Sequence, residues 1–396
     1  MKYHMINGTK SLINIHLNNS NLLSNNNRNN LDKFKIRNSS FELLRIIFMN
    51  LIILFHIMYY TKSLPKLSSK NYMTLINNRY IFLRIISNYG KFGDIIFIMI
   101  SGFFSINRKT FHYIKFILIV SQTYTYHYLI LLISNKLKKI YTDVNLIEQK
   151  KGSFFFPLIS VNGHWFTQHY LLILIFMPFI NTGLLALSYQ QYKILVFLII
   201  IFYCIIKAIL RICEISSNLF SITQLLKLLF PYIIGGFIRI FDLKNKFFCK
   251  FCGILFFILT IILEIIFDKM AFYYNNYLWI ECQSELSLQL YSVFPILSSI
   301  GIIYIFKNIE IYNKYINFIS SSILGIYLIH ANKNIAPFIY NCFFTTNDYT
   351  KKYFFFKYFI KALIIFIVCL IIDIIRRYTI GLFIEKLLKL IIKKNL

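Results

Sequence analysis

Apolar runs alternate with short polar stretches along most of this chain, at a spacing that predicts membrane-crossing helices. A helix needs about 20 residues to cross a hydrocarbon core about 30 Å thick. Runs at or near that length cover 41–60, 90–106, 114–134, 164–180, 193–210, 224–241, 247–267, 287–306, 319–341 and 356–375. The expected fold is all-α, a polytopic membrane bundle of about ten transmembrane helices. Residues 1–36 are rich in Asn and lack the apolar core of a signal peptide, so they read as a mobile tail. A membrane domain over 37–380 and a basic C-terminal tail over 381–396 complete the expected organisation.

Composition strengthens this picture. Hydrophobic residues make up 58% of the chain and charged residues 15%, against roughly 45–50% and 25% in soluble domains. The mean hydropathy is +0.62. A formal net charge of +28 resembles a nucleic-acid signature. The basic residues nevertheless fall mostly between apolar runs, where positively charged membrane loops account for them, and no nucleic-acid partner is implied. The N-terminal tail, the stretch from Arg376 to Lys394, and the loop holding Arg239, Lys244, Lys246 and Lys250 are all basic. The positive-inside rule places them, with both termini, on the cytoplasmic side of a plasma or inner membrane. The acidic segment from Asp268 to Glu285 suits the outer side, while Lys62, Lys66 and Lys70 weaken the asymmetry. Seven scattered cysteines imply no disulfide framework. Cys249 and Cys252 lack the second pair or nearby His that a zinc site needs, so no metal is expected.

Chemistry enters with RNSSFELLRIIFMNLIILFHIMYY, residues 37–60. Arg45 and His56 are eleven steps apart, about 20° round a helix and about 16 Å along it, so they share one face at different depths. Unpaired ionisable groups at mid-membrane cost several kcal/mol and usually face a bundle interior. His56 is thus a candidate base beside a polar channel, or a neutral imidazole bonded to a neighbouring helix. Arg45 is a candidate for lining the channel or for an interfacial position, and Glu42 stands at i, i+3 to pair with it. A second stripe joins Tyr327, His330 and Asn334 in SSSILGIYLIHANKN, at i, i+3, i+7 on a helix starting near Ile319. Two histidines at similar depth on different helices suggest one buried polar cavity, or side chains that bond helices together. His164, Trp165 and His169 fit an aromatic belt, and His164 and His169, about 140° apart, are poorly placed to share a metal. Asp94 reads as a buried acid, a cap or a solvated helix end. Glu264 reads as snorkelling or paired. Arg108, Lys109 and Lys115 read as interfacial anchors or as ligands for a phosphorylated molecule.

Several segments, in order, resemble the acyltransferase 3 family of integral-membrane acyltransferases that modify cell-envelope glycans. FELLRIIFMNLIILFH is similar to its first helix. GKFGDIIFIMISGFF resembles its second through Gly93, Phe97, Ser101, Gly102 and Phe103. HWFTQHYLLILIFMPFIN matches a further pattern through Trp165, Phe166, Tyr170, Pro178 and Asn181, and FPYIIGGFIRIF and SSSILGIYLIHAN resemble later segments. The resemblance runs over about 37–380. Asp94 and Ile95 stand where the family often has Val and then an acidic or amide residue. The family's arginine-rich stretch before the third helix is reduced to Arg108, Lys109 and Lys115. The fused extracytoplasmic domain of some relatives is not seen, so transfer would finish within the membrane domain or with a partner.

The resemblance implies an O-acyltransferase. Its donor would be acyl-CoA, acetyl-CoA or similarly short, and its acceptor a sugar hydroxyl on an envelope polysaccharide or lipid-linked saccharide. Under this reading His56 is the base or acyl carrier, and Arg45 holds a CoA phosphate or orients its path. Arg108, Lys115 and Arg239 are further phosphate ligands, and Trp165, Tyr327 and His330 line the acyl or acceptor pocket. Neutral imidazole suits the base role, since its ordinary pKa is near 6.5. The competing expectation is a proton-coupled transporter, which buried histidines and an intramembrane acid also suit. The absence of a convincing inverted repeat weighs against it.

Overall fold

The computed structural model describes residues 38–61, 78–140, 164–213, 224–241, 246–274, 292–343 and 352–395. The Asn-rich segment 1–36, Lys62, Lys66, Lys70, Lys244 and residues 275–291 of the acidic segment lie outside the described residues. Among the described residues every regular element is helical. In chain order these are α1 (Ser40–Thr61), α2 (Asn78–Ser105), α3 (Tyr113–Ile140), α4 (Trp165–Leu185) and α5 (Tyr189–Ile199). A π-helical stretch, Ile200–Ile206, leads into α6 (Lys207–Ile212). Then come α7 (Gln224–Ile240), α8 (Lys246–Tyr274), α9 (Val293–Lys307), α10 (Lys314–Ser320), α11 (Ile323–His330) and α12 (Ala336–Phe343). The chain closes with α13 (Phe354–Arg376), a π-helical turn at Arg377–Gly381, and α14 (Leu382–Asn395).

Among the described residues, five spans are long and apolar enough to cross a membrane: Ser40–Tyr60, Tyr113–Lys136, Trp165–Leu185, Tyr189–Leu210 and Phe354–Leu387. Their outward faces are what a lipid environment requires. On α13, Phe356, Leu363, Val368 and Ile371 are exposed while Tyr358, Ala362, Phe366 and Asp373 are buried. On α5 and the π stretch, Ile194, Phe197 and Phe202 are exposed. Apolar bands of this kind cost free energy in water and none in a hydrocarbon core.

The expected ten spans need correction in four places. The predicted 90–106 helix is the second half of α2, which begins at Asn78 and carries Lys91 and Asp94 in its middle. The predicted 287–306 helix is described only from Val293, as the 15-residue α9. Lys246 and Lys250, read as loop residues, lie within the bounds of α8, as Arg239 does in α7. The predicted continuous helix over 319–341 is broken into α10, α11 and α12. Ser320, Ser321 and Ser322 form the first break, where Ser321 Oγ donates to the Phe318 carbonyl. Serine hydroxyls compete with the helical ladder in this way. At the second break Asn332 Oδ1 accepts the Asn334 backbone N–H. Asn334 therefore sits in a turn beyond α11 and does not continue the Tyr327–His330 stripe. The basic C-terminal stretch is itself helical, as α14.

α1 is the central element. It packs against α2, α9, α10, α11, α12 and α13, and α2 packs in turn against α7, α8 and α9. The α2–α7 crossing depends on two glycines. A Cβ at Gly102 would meet the Tyr232 backbone, 2.9 Å from its carbonyl carbon, and one at Gly235 would lie equally close to the Met99 carbonyl carbon. Small residues at reciprocal positions let two backbones approach in this way. Gly102→Ala or Gly235→Ala is expected to destabilise the bundle by about 1–3 kcal/mol through overpacking. Gly183→Ala, in α4 with nothing within 4 Å of its Cβ position, should be neutral. Thermal loss of the monodisperse peak in detergent would measure the difference.

Candidate functional site

The polar face of α1 is a stripe. Glu42, Arg45, Met49, Ile52 and His56 follow one another at steps of three or four, and each lines a cavity. α2 faces it with Gly90, Asp94, Phe97, Ser101 and Ser105, at similar steps. Three adjoining cavities run between these two stripes and share their walls.

The first is about 680 Å³ and is lined by Arg45, Arg108, Lys115, Arg239 and Lys307, with Glu42 the one acidic residue in its wall among the described residues. Arg45, Arg108, Lys115 and Arg239, the four expected phosphate ligands, therefore meet in one place and Lys307 joins them, while Lys109 is not in this wall. Glu42 is already engaged. Its Oε2 lies 2.7 Å from Arg45 Nη1 and also accepts the Ser320 hydroxyl. Lys115 Nζ donates to the Tyr170 hydroxyl at 2.9 Å. The Arg239 guanidinium stands over the Phe103 ring at 5.1 Å, and Lys307 Nζ stands 5.9 Å from the same ring. Asn181 shapes the wall: its amide nitrogen donates to the Ser105 and Arg108 carbonyls, both at 2.7 Å, and its Oδ1 accepts the Tyr232 hydroxyl at 2.8 Å. Several cations converging on a concave wall, with one carboxylate already paired, make a strong field for a polyanion.

The second cavity, about 320 Å³, shares Arg45, Ser101, Lys115 and Tyr170 with the first and reaches Asp94 and Tyr327. Asp94 is not at a helix start, as one sequence reading had it. It lies in the middle of α2, partly buried, with a place in the walls of both the second and third cavities.

The third cavity, about 450 Å³, is walled by His56, Asp94, Trp165 and Tyr327 among others. The His56 and His330 rings stand 5.3 Å apart between centroids. His330 is fully buried, and its Nδ1 donates to the Ile326 carbonyl at 2.6 Å. The proton is therefore on Nδ1, and Nε2 keeps its lone pair. Among the described residues neither His330 Nε2 nor His56 Nδ1 has a hydrogen-bond partner, and neither has the hydroxyl of Tyr340, whose ring is 6.4 Å from His56. Buried polar atoms of native proteins rarely go unpaired, so such a concentration beside a cavity marks a place where a ligand can supply the missing bonds.

His164 was read as part of an interfacial belt, yet it is buried. Its Nε2 accepts the Asn332 amide at 3.3 Å, and its ring lies 6.1 Å from that of Tyr327. The start of α4 thus contributes both Trp165 and, at its N-cap, the buried His164 to this end of the bundle. Glu264, expected to snorkel or pair, is buried within α8. One buried acid escaped the sequence reading altogether. Asp373 of α13 takes Tyr126 Oη at 2.6 Å, Arg376 Nε at 2.9 Å and Gln122 Nε2 at 3.2 Å on a single oxygen. Its neighbour Gln122 lines the second cavity.

Comparisons with protein families, with curated proteins and with solved structures find no match to this chain. Replacing Asn181 with Leu should strand two backbone carbonyls and the Tyr232 hydroxyl. A cost of about 1–3 kcal/mol per stranded group is expected, seen as a lower melting temperature in detergent.

Proposed function

We propose that this protein transfers an acyl group, acetyl or similarly short, from acyl-CoA to a sugar hydroxyl of an envelope polysaccharide or lipid-linked saccharide. One observation carries the reading: a cavity lined by five basic side chains adjoins, through a smaller one, a cavity walled by an imidazole whose Nδ1 has no partner among the described residues. The acyltransferase 3 resemblance supports the same assignment.

In this reading the CoA phosphates lie against Arg45, Arg108, Lys115, Arg239 and Lys307 on the cytoplasmic side, and the arm runs along the α1–α2 stripe. The thioester then reaches His56, about 16 Å along α1 from Arg45. His56 takes the proton from the acceptor hydroxyl as its oxygen attacks the thioester carbonyl. The tetrahedral adduct collapses, the C–S bond breaks, and the departing thiolate takes a proton back from the imidazolium. His330 backs the His56 ring, while Trp165 and Tyr327 shape the pocket. Both chain termini lie in the cytoplasm in this arrangement.

A second reading, a proton-coupled carrier, draws on Asp94 at the junction of two cavities. Acyl transfer in detergent, where no gradient exists, separates the two readings, since a carrier would give none.

His56→Ala should lower transfer from labelled acyl-CoA by about 100-fold or more, the range of a general base. Arg45→Lys should raise KM for acyl-CoA more than it lowers kcat, because a point charge replaces a two-pronged donor. Both are measured in membranes with matched amounts of inserted protein. Full turnover by His56→Ala would refute the assignment.

A further inference from the structure

The cavity at the His56 end carries its own charge, separate from the basic cavity at Arg45. Among the described residues Lys91, Lys227 and Lys333 line it, against one carboxylate, Asp94. The three lysines come from different places: the middle of α2, the first turn of α7, and the turn after α11. An anchor of a single helix at a membrane surface would not gather them around one concave wall. Lys91 Nζ stands 5.4 Å from the centre of the Phe55 ring, so the cationic and aromatic parts of the wall are interleaved. Trp165 and Tyr327 add further aromatic surface beside them. A flat apolar surface with a few convergent charges suits a ring-shaped ligand that carries an anion.

We infer that this cavity binds an anionic saccharide, one with a phosphate or carboxylate held by Lys227 and Lys333 and a hydroxyl left near His56. The role given to that hydroxyl rests on the acyl-transfer reading, whereas the charge preference does not. The anion has two possible sources: the phosphate linking a saccharide to its lipid carrier, or a uronic acid within the saccharide.

The test uses the full chain in detergent. Only Trp165 and Trp279 are indoles in this sequence, so Trp279→Phe leaves Trp165 as the reporter. Glucose 1-phosphate, glucuronate, methyl glucoside and inorganic phosphate are titrated by fluorescence and by calorimetry. Glucose 1-phosphate or glucuronate should bind about tenfold more tightly than methyl glucoside, the factor given by one charged contact, and added salt should shrink the gap. A lead for glucose 1-phosphate points to the lipid-linked source and a lead for glucuronate to the uronic acid. Lys227→Gln with Lys333→Gln should abolish the preference, and the corresponding Arg pair should keep it. Should the double variant fail to fold, Lys333→Gln alone serves, because Lys333 is exposed. Equal binding of methyl glucoside, no binding of any probe, or a preference unchanged in a folded Gln variant overturns the inference. Inorganic phosphate binding as tightly as glucose 1-phosphate overturns its saccharide half. Acyl transfer is assayed separately on the same preparations. Loss of the charge preference with transfer intact sinks this inference alone, and the preference without transfer sinks only the catalytic reading.

Discussion

A charge inside a bundle of apolar helices has to be answered by another charge or by a dipole, and this constraint organises the structure around α1. Arg45 meets Glu42 one turn earlier, and Glu42 also takes the hydroxyl of Ser320 at the end of α10. The ion pair therefore ties α1 to the break between α10 and α11. Glu42 is buried but the Arg45 side chain is 25% exposed, so removing Arg45 leaves the carboxylate uncompensated at a cost below the about 3–5 kcal/mol of a fully buried pair. Since α1 touches six other helices, the rotation this contact imposes decides which residues of the bundle face the cavities. Arg45, Met49, Ile52 and His56 follow Glu42 around to the same side.

α2 has the opposite difficulty. It is too polar in its middle to face lipid, with Lys91 and Asp94 three residues apart. Neighbours on several sides relieve it. α1, α7, α8 and α9 surround it, and Gly102 and Gly235 let α7 come within backbone contact. The outward faces of α5, α8 and α13 are instead mostly Ile, Leu, Phe and Val, with Lys, Gln and Tyr exposed toward the helix ends. Asp373 shows the same rule on α13: a carboxylate on the inward side of an otherwise oily helix, one oxygen taken by Tyr126, Arg376 and Gln122 and the other without a partner among the described residues.

Much of this was legible in the sequence where one helix carried the information. The Arg45–His56 face and the Glu42–Arg45 pair follow from helical periodicity alone. So does the apolar span of α13, predicted at 356–375 and found at Phe354–Arg376. What could not be read depended on contacts between distant segments. Asp94 looked like a helix end because apolar periodicity begins at residue 90, and only packing shows that α2 starts a dozen residues earlier. His164 sat next to a tryptophan at the expected interface, and nothing local revealed that Asn332, 168 positions away, would meet it. The breaks around 320–322 and 332–334 did leave a local trace, three consecutive serines and two asparagines. Hydropathy outweighed that trace, because Ile and Leu on either side keep the average high. Lys307 was one residue past a predicted helix end, where a lysine seems to need no explanation.

The sizes of the three cavities bear on which ligand the site suits. The basic end holds about 680 Å³, the middle about 320 Å³ and the histidine end about 450 Å³. A solute carried through would exchange one set of cations for another past Asp94. Under the acyl-transfer proposal, the anionic head of the donor would take the larger basic cavity and its slender arm the smaller middle one. The acceptor would then enter from the histidine end. The discontinuity at 320–322 borders the middle cavity through Ser320 and Ser321, which places irregular backbone beside a cavity, where membrane proteins tolerate it. Under that proposal donor and acceptor would meet beside the unpartnered imidazole nitrogens, where a base for group transfer is needed.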